Sequence, residues 1–171
     1  MFFDFILLGT VFFLLIFLSW IWPPDSPWAP WWRTNKETAK AICKISNIKK
    51  SDVIYDLGCG DAELLIQVGK IGATGVGLEI EPSRFLIAKL RIINNGLQEK
   101  IEIKRKNFFK EDISKASVIV VYLVPKTLNR LLPKFKKELK KGTRIISFRY
   151  KIEGLSIKKI DKKNDLMLYI I

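Results

Sequence analysis

The sequence contains no histidine and only two cysteines, Cys43 and Cys59, among its 171 residues. Without histidine, neither a Ser-His-Asp catalytic triad nor a Cys/His zinc site can be built in its usual form. Two thiols in a chain of this length also do not indicate a small domain stapled by disulfides. These missing residue types exclude several common kinds of hydrolase and structural metal site, and we predict no metal.

Basic residues are absent from the first 32 positions, although the whole chain carries 30 Lys and Arg against 17 Asp and Glu, a formal net charge of +13. The uncharged run from Phe5 to Trp22 would form a helix of about 27 Å, close to the thickness of bilayer hydrocarbon. A cleaved signal peptide would need a basic start and a small-residue cleavage site, and the sequence offers neither. We therefore predict a retained transmembrane helix over residues 1–22 of a single-pass membrane protein. The positive-inside rule then predicts that the basic remainder faces the cytoplasm.

All five tryptophans and four of the seven prolines lie in residues 19–33. We interpret residues 23–33 as a short, stiff Pro/Trp linker that leads to a single domain over residues 34–171. Trp20 and Trp22 fit an aromatic belt at a membrane interface. Three further tryptophans fit either that interface or the lining of a pocket: Trp28, Trp31 and Trp32.

Short apolar runs alternate with helical patterns throughout the domain. This alternation predicts an α/β, Rossmann-like, doubly wound and mostly parallel sheet with a C-terminal antiparallel strand pair. Asp61 is the expected N-cap of the helix that follows the first strand. Ligands of such sheets bind outside the carboxyl ends of the strands, at the topological switch point. The predicted strands are residues 53–58, 74–80, 101–109, 117–124, 143–150, 155–160 and 166–171.

The ends of the first two predicted strands carry the residues that point to a cofactor. Gly58 and Gly60 in YDLGCGDAELL permit a tight turn and close approach of a ligand. Glu79 follows Gly60 by 19 residues and could accept two hydrogen bonds from a ribose diol. Two carboxylates at the start of the next helix, Asp61 and Glu63, would repel the pyrophosphate of a dinucleotide. The pattern therefore favours a cationic, adenosine-containing ligand without phosphate, which is S-adenosylmethionine.

The segments YDLGCGDAELL, GVGLEIEP and NFF, with the run from VVYLVP to GTRIISFRY, resemble the class I (seven-strand) S-adenosylmethionine-dependent methyltransferases. More narrowly, about residues 26–155 resemble the small protein-lysine methyltransferases. Mitochondrial members of that group carry an N-terminal membrane segment and methylate lysines of inner-membrane proteins, including the ATP synthase c-subunit. One departure from the pattern is Ala62, where a third glycine is commoner. Alanine should be tolerated there if its φ is negative.

The resemblance implies a role for each matching position. Glu79 would hold the ribose hydroxyls, and Asn107 and Phe108 would meet the adenine. Tyr122 and Pro125, at the end of the fourth strand, would line the place of methyl transfer and are the predicted catalytic residues. The full set of predicted cofactor-binding residues is Asp56, Gly58, Cys59, Gly60, Asp61, Glu79, Asn107, Phe108 and Tyr122.

Methyl transfer requires few catalytic groups from the protein. The sulfonium of the cofactor already activates the methyl group, so catalysis is mostly positioning. The target amine must first lose its proton, and a narrow aromatic channel would help by lowering the amine pKa. Tyr122 is the predicted channel residue, and Trp28 or Phe148 could join it.

The predicted function is N-methylation of a lysine in a membrane or membrane-associated protein. Two alternatives stay open at this point: methylation of a lipid headgroup or other small molecule, and a non-catalytic scaffold that only binds the cofactor. The basic surface is predicted to meet anionic lipid. A nucleic-acid partner is disfavoured because no named nucleic-acid motif is present.

Overall fold

The computed structural model describes residues 2–21 and 33–171, and within the first helix it describes the side chains of residues 5–17. Helices and strands alternate along most of this length. In chain order the elements are α1 (Phe2–Ile21), α2 (Lys36–Ile45), β1 (Val53–Leu57), α3 (Glu63–Ile71), β2 (Thr74–Leu78), α4 (Pro82–Asn94), β3 (Ile101–Lys104), β4 (Val118–Val121), α5 (Pro125–Glu138), β5 (Arg144–Phe148), β6 (Ile157–Asp161) and β7 (Leu166–Ile170).

The strands form one seven-stranded sheet in the order β3-β2-β1-β4-β5-β7-β6. The first five strands of that order are parallel, and β7 pairs antiparallel with both β5 and β6. The predicted α/β sheet with a terminal antiparallel pair is therefore confirmed. Chain order reverses between β1 and β4, so the topological switch point lies at the carboxyl ends of these two strands.

The central strand β4 explains how the sheet is covered on both faces. All four of its residues are buried, as an uninterrupted apolar sequence predicts for a central parallel strand. Val118 and Val120 join one core cluster with α2, α3 and α4, whereas Ile119 and Val121 join a second cluster with α5. Successive side chains of a strand point to opposite faces, so a single apolar run supplies both cores.

Gly77 in β2 allows the sheet to approach the elements packed against it. A Cβ atom at this position would lie 2.6 Å from Leu65 Cδ1, 2.7 Å from Cys59 Sγ and 2.8 Å from Ile103 Cδ1. Real Cβ atoms essentially never show such distances, so any residue larger than glycine would force these three side chains to shift.

The start of α3 differs from the sequence prediction. The N-cap is Ala62, not Asp61, and no side chain caps the helix. Asp61 does not turn back to the helix because its carboxylate is bound by Arg33 and Arg91. Ala62 has a φ of 62°, so the condition of a negative φ, under which alanine should be tolerated here, is not met. A left-handed alanine costs about 1–2 kcal/mol relative to a right-handed one.

The prediction of a transmembrane helix over residues 1–22 is corrected here. Within the ranges described, no helix is both long enough and apolar enough to cross a membrane. The predicted localisation, a single-pass membrane protein with its domain facing the cytoplasm, depended on that helix and is therefore wrong as well.

The predicted Pro/Trp linker lies almost entirely outside the described residues, which resume at Arg33. The interpretations given to Trp22, Trp28, Trp31 and Trp32 fall in that undescribed range, and the side chain of Trp20 is not described either. The domain boundaries at residues 22 and 33 accordingly stay predictions.

Candidate functional site

A pocket opens at the carboxyl ends of β1, β2, β4 and β5, where the topological rule places a ligand. The loops after these strands and the first turns of α3, α4 and α5 form its walls. The lining residues are Thr34, Ile42, Asp56, Gly58, Cys59, Gly60, Asp61, Glu63, Leu64, Glu79, Ile80, Glu81, Arg84, Phe108, Val120, Tyr122, Leu123, Thr127 and Phe148.

The loop after β1 is folded by its glycines. Gly58 has a φ of 87° and Gly60 a φ of 56°, both in the left-handed region that glycine adopts without strain. The N–H groups of Gly58 and Cys59 donate to the Leu78 carbonyl at 2.8 and 3.2 Å. These bonds hold the loop against the end of β2, so the glycine turn and Glu79 become neighbours.

Glu79 is buried, with 5% of its surface exposed, and both of its carboxylate oxygens accept backbone hydrogen bonds. Gly60 N–H donates to Oε2 and Glu81 N–H donates to Oε1, each at 3.0 Å. The carboxylate is therefore fixed in orientation at the pocket wall. Because each carboxylate oxygen can accept more than one hydrogen bond, the group can still receive a ligand diol. This arrangement of acceptors fits the ribose of an adenosine.

Asp56 is a buried carboxyl of the pocket whose pKa is far from its ordinary value. Burial raises the pKa of this carboxyl to about 7, and the negative charges of Glu79 and Asp61 act in the same direction. A buried site that holds this much negative charge favours a ligand that carries positive charge. The sulfonium and ammonium groups of S-adenosylmethionine meet that requirement.

Asp61 and Glu63 are compensated by two arginines that the sequence reasoning did not identify. Arg33 Nε lies 2.7 Å from Asp61 Oδ2, and Arg91 Nη1 lies 2.5 Å from the same oxygen. Arg91 Nη2 also contacts Glu63 Oε2 at 2.5 Å. These partners are 28 to 30 residues away along the chain, so no local pattern could reveal them. Because these arginines compensate Asp61 and Glu63, the acidic groups that favour a cationic ligand are Asp56 and Glu79.

Aromatic side chains line the end of the pocket nearest β4 and β5. The rings of Tyr122 and Phe148 have centroids 4.3 Å apart at an interplanar angle of 45°. Burial raises the pKa of Tyr122, with the positive charge of Arg149 opposing the shift. The phenol is therefore neutral near pH 7 and cannot act as a phenolate base. Phe148, which the sequence offered only as a channel candidate, lies in the lining.

Two predicted residues stand outside the lining. Asn107 holds a turn, since its Oδ1 accepts the Phe109 N–H at 3.0 Å. Pro125 is exposed and occupies the first turn of α5. The other predicted cofactor residues all line the pocket. Among the lining residues that the sequence reasoning missed are Thr127 and Arg84, each two residues after a proline that opens a helix.

Cys59 is a packing residue of the glycine loop. Burial raises the pKa of its thiol well above the ordinary value, and the negative charges of Asp56 and Glu79 act in the same direction. The thiol stays protonated at neutral pH, so it is unreactive as a nucleophile.

The sequence is similar to known methyltransferases over most of its length. Residues 56–159 match the ANTKMT methyltransferase domain family. A protein-lysine N-methyltransferase of Saccharolobus islandicus is 34% identical over 156 residues, which cover 86% of this chain and 95% of the relative. A Caenorhabditis elegans lysine N-methyltransferase, named for the ATP synthase c-subunit, is 28% identical over 116 residues. That match covers 68% of this chain but only 60% of the longer relative.

The fold is also similar to that of a solved methyltransferase. The crystal structure of an RNA methyltransferase from Salinibacter ruber in complex with S-adenosyl-L-homocysteine superposes with a TM-score of 0.77 at 27% identity. The match covers 81% of this chain and 92% of that one. The predicted cofactor is therefore confirmed as S-adenosylmethionine, and the prediction that the chain is a methyltransferase is confirmed as well. The chain belongs to the ANTKMT methyltransferase domain family and is an S-adenosylmethionine-dependent methyltransferase.

Proposed function

We propose that this enzyme N-methylates lysine side chains of a protein substrate. The observation that carries the proposal is the 34% identity to a protein-lysine N-methyltransferase across 95% of that relative. The pocket supports it, because a buried acidic region formed by β1 and β2 adjoins an aromatic region formed by β4 and β5.

For the cofactor, we propose that Glu79 holds the ribose and that Gly58, Cys59 and Gly60 lie under the methionine part. Support comes from the fixed carboxylate of Glu79 and from the left-handed turns of the loop. Asp56 would face the positive charge of the ligand, because it carries the charge that most needs compensation. When bound, S-adenosylmethionine supplies a methyl group activated by the sulfonium.

Asp61 would contribute less directly to cofactor binding than the sequence suggested, since two arginines already bind its carboxylate. Phe108 lines the pocket and would offer its ring to the adenine. Asn107 would act through the turn that presents Phe108, because its Oδ1 already accepts the Phe109 N–H.

For the substrate, we propose that the lysine passes along the Tyr122 and Phe148 rings. An apolar, partly enclosed path disfavours the charged ammonium and so lowers the amine pKa, which yields the lone pair needed for attack. Tyr122 would position the amine as a neutral phenol, since burial keeps its pKa above the usual range. Pro125 would act by fixing the chain direction after Tyr122, since it opens α5 outside the pocket lining.

RNA is the second candidate substrate. The solved methyltransferase from Salinibacter ruber is named for RNA, and a net charge of +13 would attract a polyanion. Protein is favoured because the lysine methyltransferase relative is more similar in sequence. The narrower statements, that the lysine lies in a membrane or membrane-associated protein and that the basic surface meets anionic lipid, stay predictions, as does the alternative of a lipid headgroup or small molecule.

The test is incubation of the full chain with methyl-labelled cofactor and a cell extract. Label that survives RNase but is lost on protease digestion, and that mass spectrometry places on lysine, supports the proposal. Label lost on RNase treatment would instead support RNA methylation. Label that is confined to lipid or small-molecule fractions would contradict both.

A further inference from the structure

The turn after β5 fixes Arg149 in an uncommon backbone conformation. Arg149 has a φ of 67°, in the left-handed region that costs a residue other than glycine about 1–2 kcal/mol. Its N–H donates to the Asp165 carbonyl at 2.8 Å, while Tyr150 N–H donates to the Phe148 carbonyl at 2.9 Å. Ser147 Oγ donates to the Tyr150 carbonyl at 2.5 Å. The turn is thus held by three hydrogen bonds, and strained backbone of this kind concentrates at functional sites.

This turn places a cation over the aromatic wall of the pocket. The guanidinium carbon of Arg149 lies 5.7 Å from the Tyr122 ring centroid and 5.5 Å from that of Phe148. Both rings line the pocket, whereas Arg149 itself is exposed to solvent. The cation–π contacts hold the charge at the outer side of the rings along which a substrate lysine would lie.

The two ends of the pocket therefore differ in charge. Asp56 and Glu79 belong to β1 and the end of β2, while Arg149 follows β5 on the far side of β4. Three strand spacings separate β2 from β5, about 14 Å across the sheet. The acidic end suits the cationic cofactor, and the basic end is the part that residues beside a target lysine would meet.

We propose that Arg149 is a specificity-determining residue that favours a target lysine with acidic neighbours. The inference rests on the proposed function, because it concerns the sequence around a methylated lysine. With the lysine side chain along the rings, the residues beside it in the substrate would lie outside the pocket, near the exposed guanidinium. An acidic neighbour is attracted to that charge and a basic neighbour is repelled. Because Arg149 is exposed to solvent, we expect kcat/KM to be about three- to tenfold higher for a lysine with acidic neighbours than for one with basic neighbours.

The experiment measures methylation of three host peptides that contain one lysine flanked by glutamate, alanine or arginine. Methyllysine is quantified by mass spectrometry at low salt for the full-length wild type and for Arg149→Gln and Arg149→Glu. The wild type should prefer glutamate flanks over arginine flanks. Arg149→Gln should bring the ratio close to one, and Arg149→Glu should invert it. The wild-type preference should also shrink at about 0.3 M salt, where exposed charges are screened.

Arg130→Gln is the matched control. Arg130 also stacks on an aromatic ring, 4.5 Å from the Phe109 centroid, but neither residue lines the pocket. This variant should keep the wild-type ratio. Calorimetry of cofactor binding verifies that each variant is folded, because none of the three substitutions touches the acidic end of the pocket.

The outcomes separate the two hypotheses. Methyllysine formed with the same flank preference in wild type and Arg149→Glu overturns the inference about Arg149 alone. No methyllysine in any peptide, with cofactor binding intact, overturns the proposed lysine activity and the inference with it.

Discussion

Glu79 shows, at the scale of one residue, how the fold fixes a charged hydrogen-bond acceptor at the wall of the pocket. Two backbone N–H groups fix both carboxylate oxygens at the pocket wall. The orientation is therefore set before a ligand binds, and little entropy is lost on ordering the carboxylate. Such preorganisation is what makes a charged hydrogen-bond acceptor effective.

Glu79→Ala should weaken binding of S-adenosylmethionine by about 10- to 100-fold, since a hydrogen bond to a charged group contributes roughly 1.5–3 kcal/mol. Isothermal titration calorimetry measures the change. Glu99→Ala, at an exposed position away from the pocket, should leave the affinity unaltered. Equal affinities of the Glu79 variant and the wild type would defeat the ribose assignment.

Asp56 makes a pH-dependent contribution to stability. Its carboxyl has a pKa of about 7 in the folded chain, raised by burial from an ordinary value of 3.8. Below about pH 4 both states hold the proton and nothing is lost. As pH rises from about 4 to 7, the unfolded state ionises while the folded state keeps its proton, so the folded state loses stability. The total loss is on the order of 4 kcal/mol.

Asp56→Asn should remove this loss. In urea unfolding without cofactor, the stability difference between the variant and the wild type should grow in favour of the variant from about pH 4 to pH 7 and then level off. Glu99→Gln serves as a control that should follow the wild type at each pH. A difference that does not change with pH would show that Asp56 is ionised normally in the folded chain.

At the residue scale, the structure brings together the predicted positions that a local sequence signal links, while their roles stay predictions. Gly58, Gly60 and Glu79 are joined by a fixed spacing within one strand-helix-strand unit, and the fold places them together. The sequence does not show the backbone conformation of Ala62. Its φ of 62° comes from the path that the glycine loop takes to α3, whereas alanine usually has a negative φ.

At the scale of elements, one side chain of α4, that of Arg91, binds several groups at the start of α3. Arg91 contacts the Asp61 and Glu63 carboxylates at 2.5 Å and donates to the Asp61 carbonyl at 2.8 Å. Its side chain is 27% exposed, and the two acids are 10% and 11% exposed. The ion pairs are therefore shielded enough from solvent to contribute to stability.

Arg91→Met should lower the free energy of unfolding by about 1–3 kcal/mol, because it leaves two mostly buried carboxylates without this partner. Chemical denaturation in the absence of cofactor measures the loss. Lys151→Met removes an ion pair whose side chains are 56% and 69% exposed, and it should change stability by less than about 0.5 kcal/mol. A loss no larger than that of the control would show that Arg91 only covers the surface.

Elements themselves were largely predictable, because apolar runs and helical periodicity are local properties. The alternation of strands and helices and the final antiparallel pair follow from the sequence. The insertion of β7 between β5 and β6 does not, since strand order depends on long-range pairing.

At the scale of the whole molecule, the described part of the pocket is built by one stretch of the chain. Among the residues that the structure describes, those that line the pocket lie between Thr34 and Phe148 and come from both sides of the switch point. The domain from residue 34 onward therefore contains all the described groups that the proposed cofactor site uses.

Deletion of residues 1–22 should give a folded domain that binds S-adenosylmethionine within about threefold of the full chain, because none of the described residues that line the pocket is removed. Calorimetry and thermal unfolding measure affinity and stability. The deletion combined with Glu79→Ala provides the negative control for binding. Loss of binding in the deletion alone would show that the first 22 residues contribute to the site.

The sequence by itself determined the class of sheet, the glycine loop, the acidic end of the second strand and the cofactor, because each depends on residues close together in the chain. Its hydropathy also led to a transmembrane helix that the described structure does not support. Tertiary structure alone decided that Arg33 and Arg91 bind Asp61 and that Arg149 lies over Tyr122. These contacts join residues that are far apart in the chain, and only the packing of the sheet brings such residues within reach of one another.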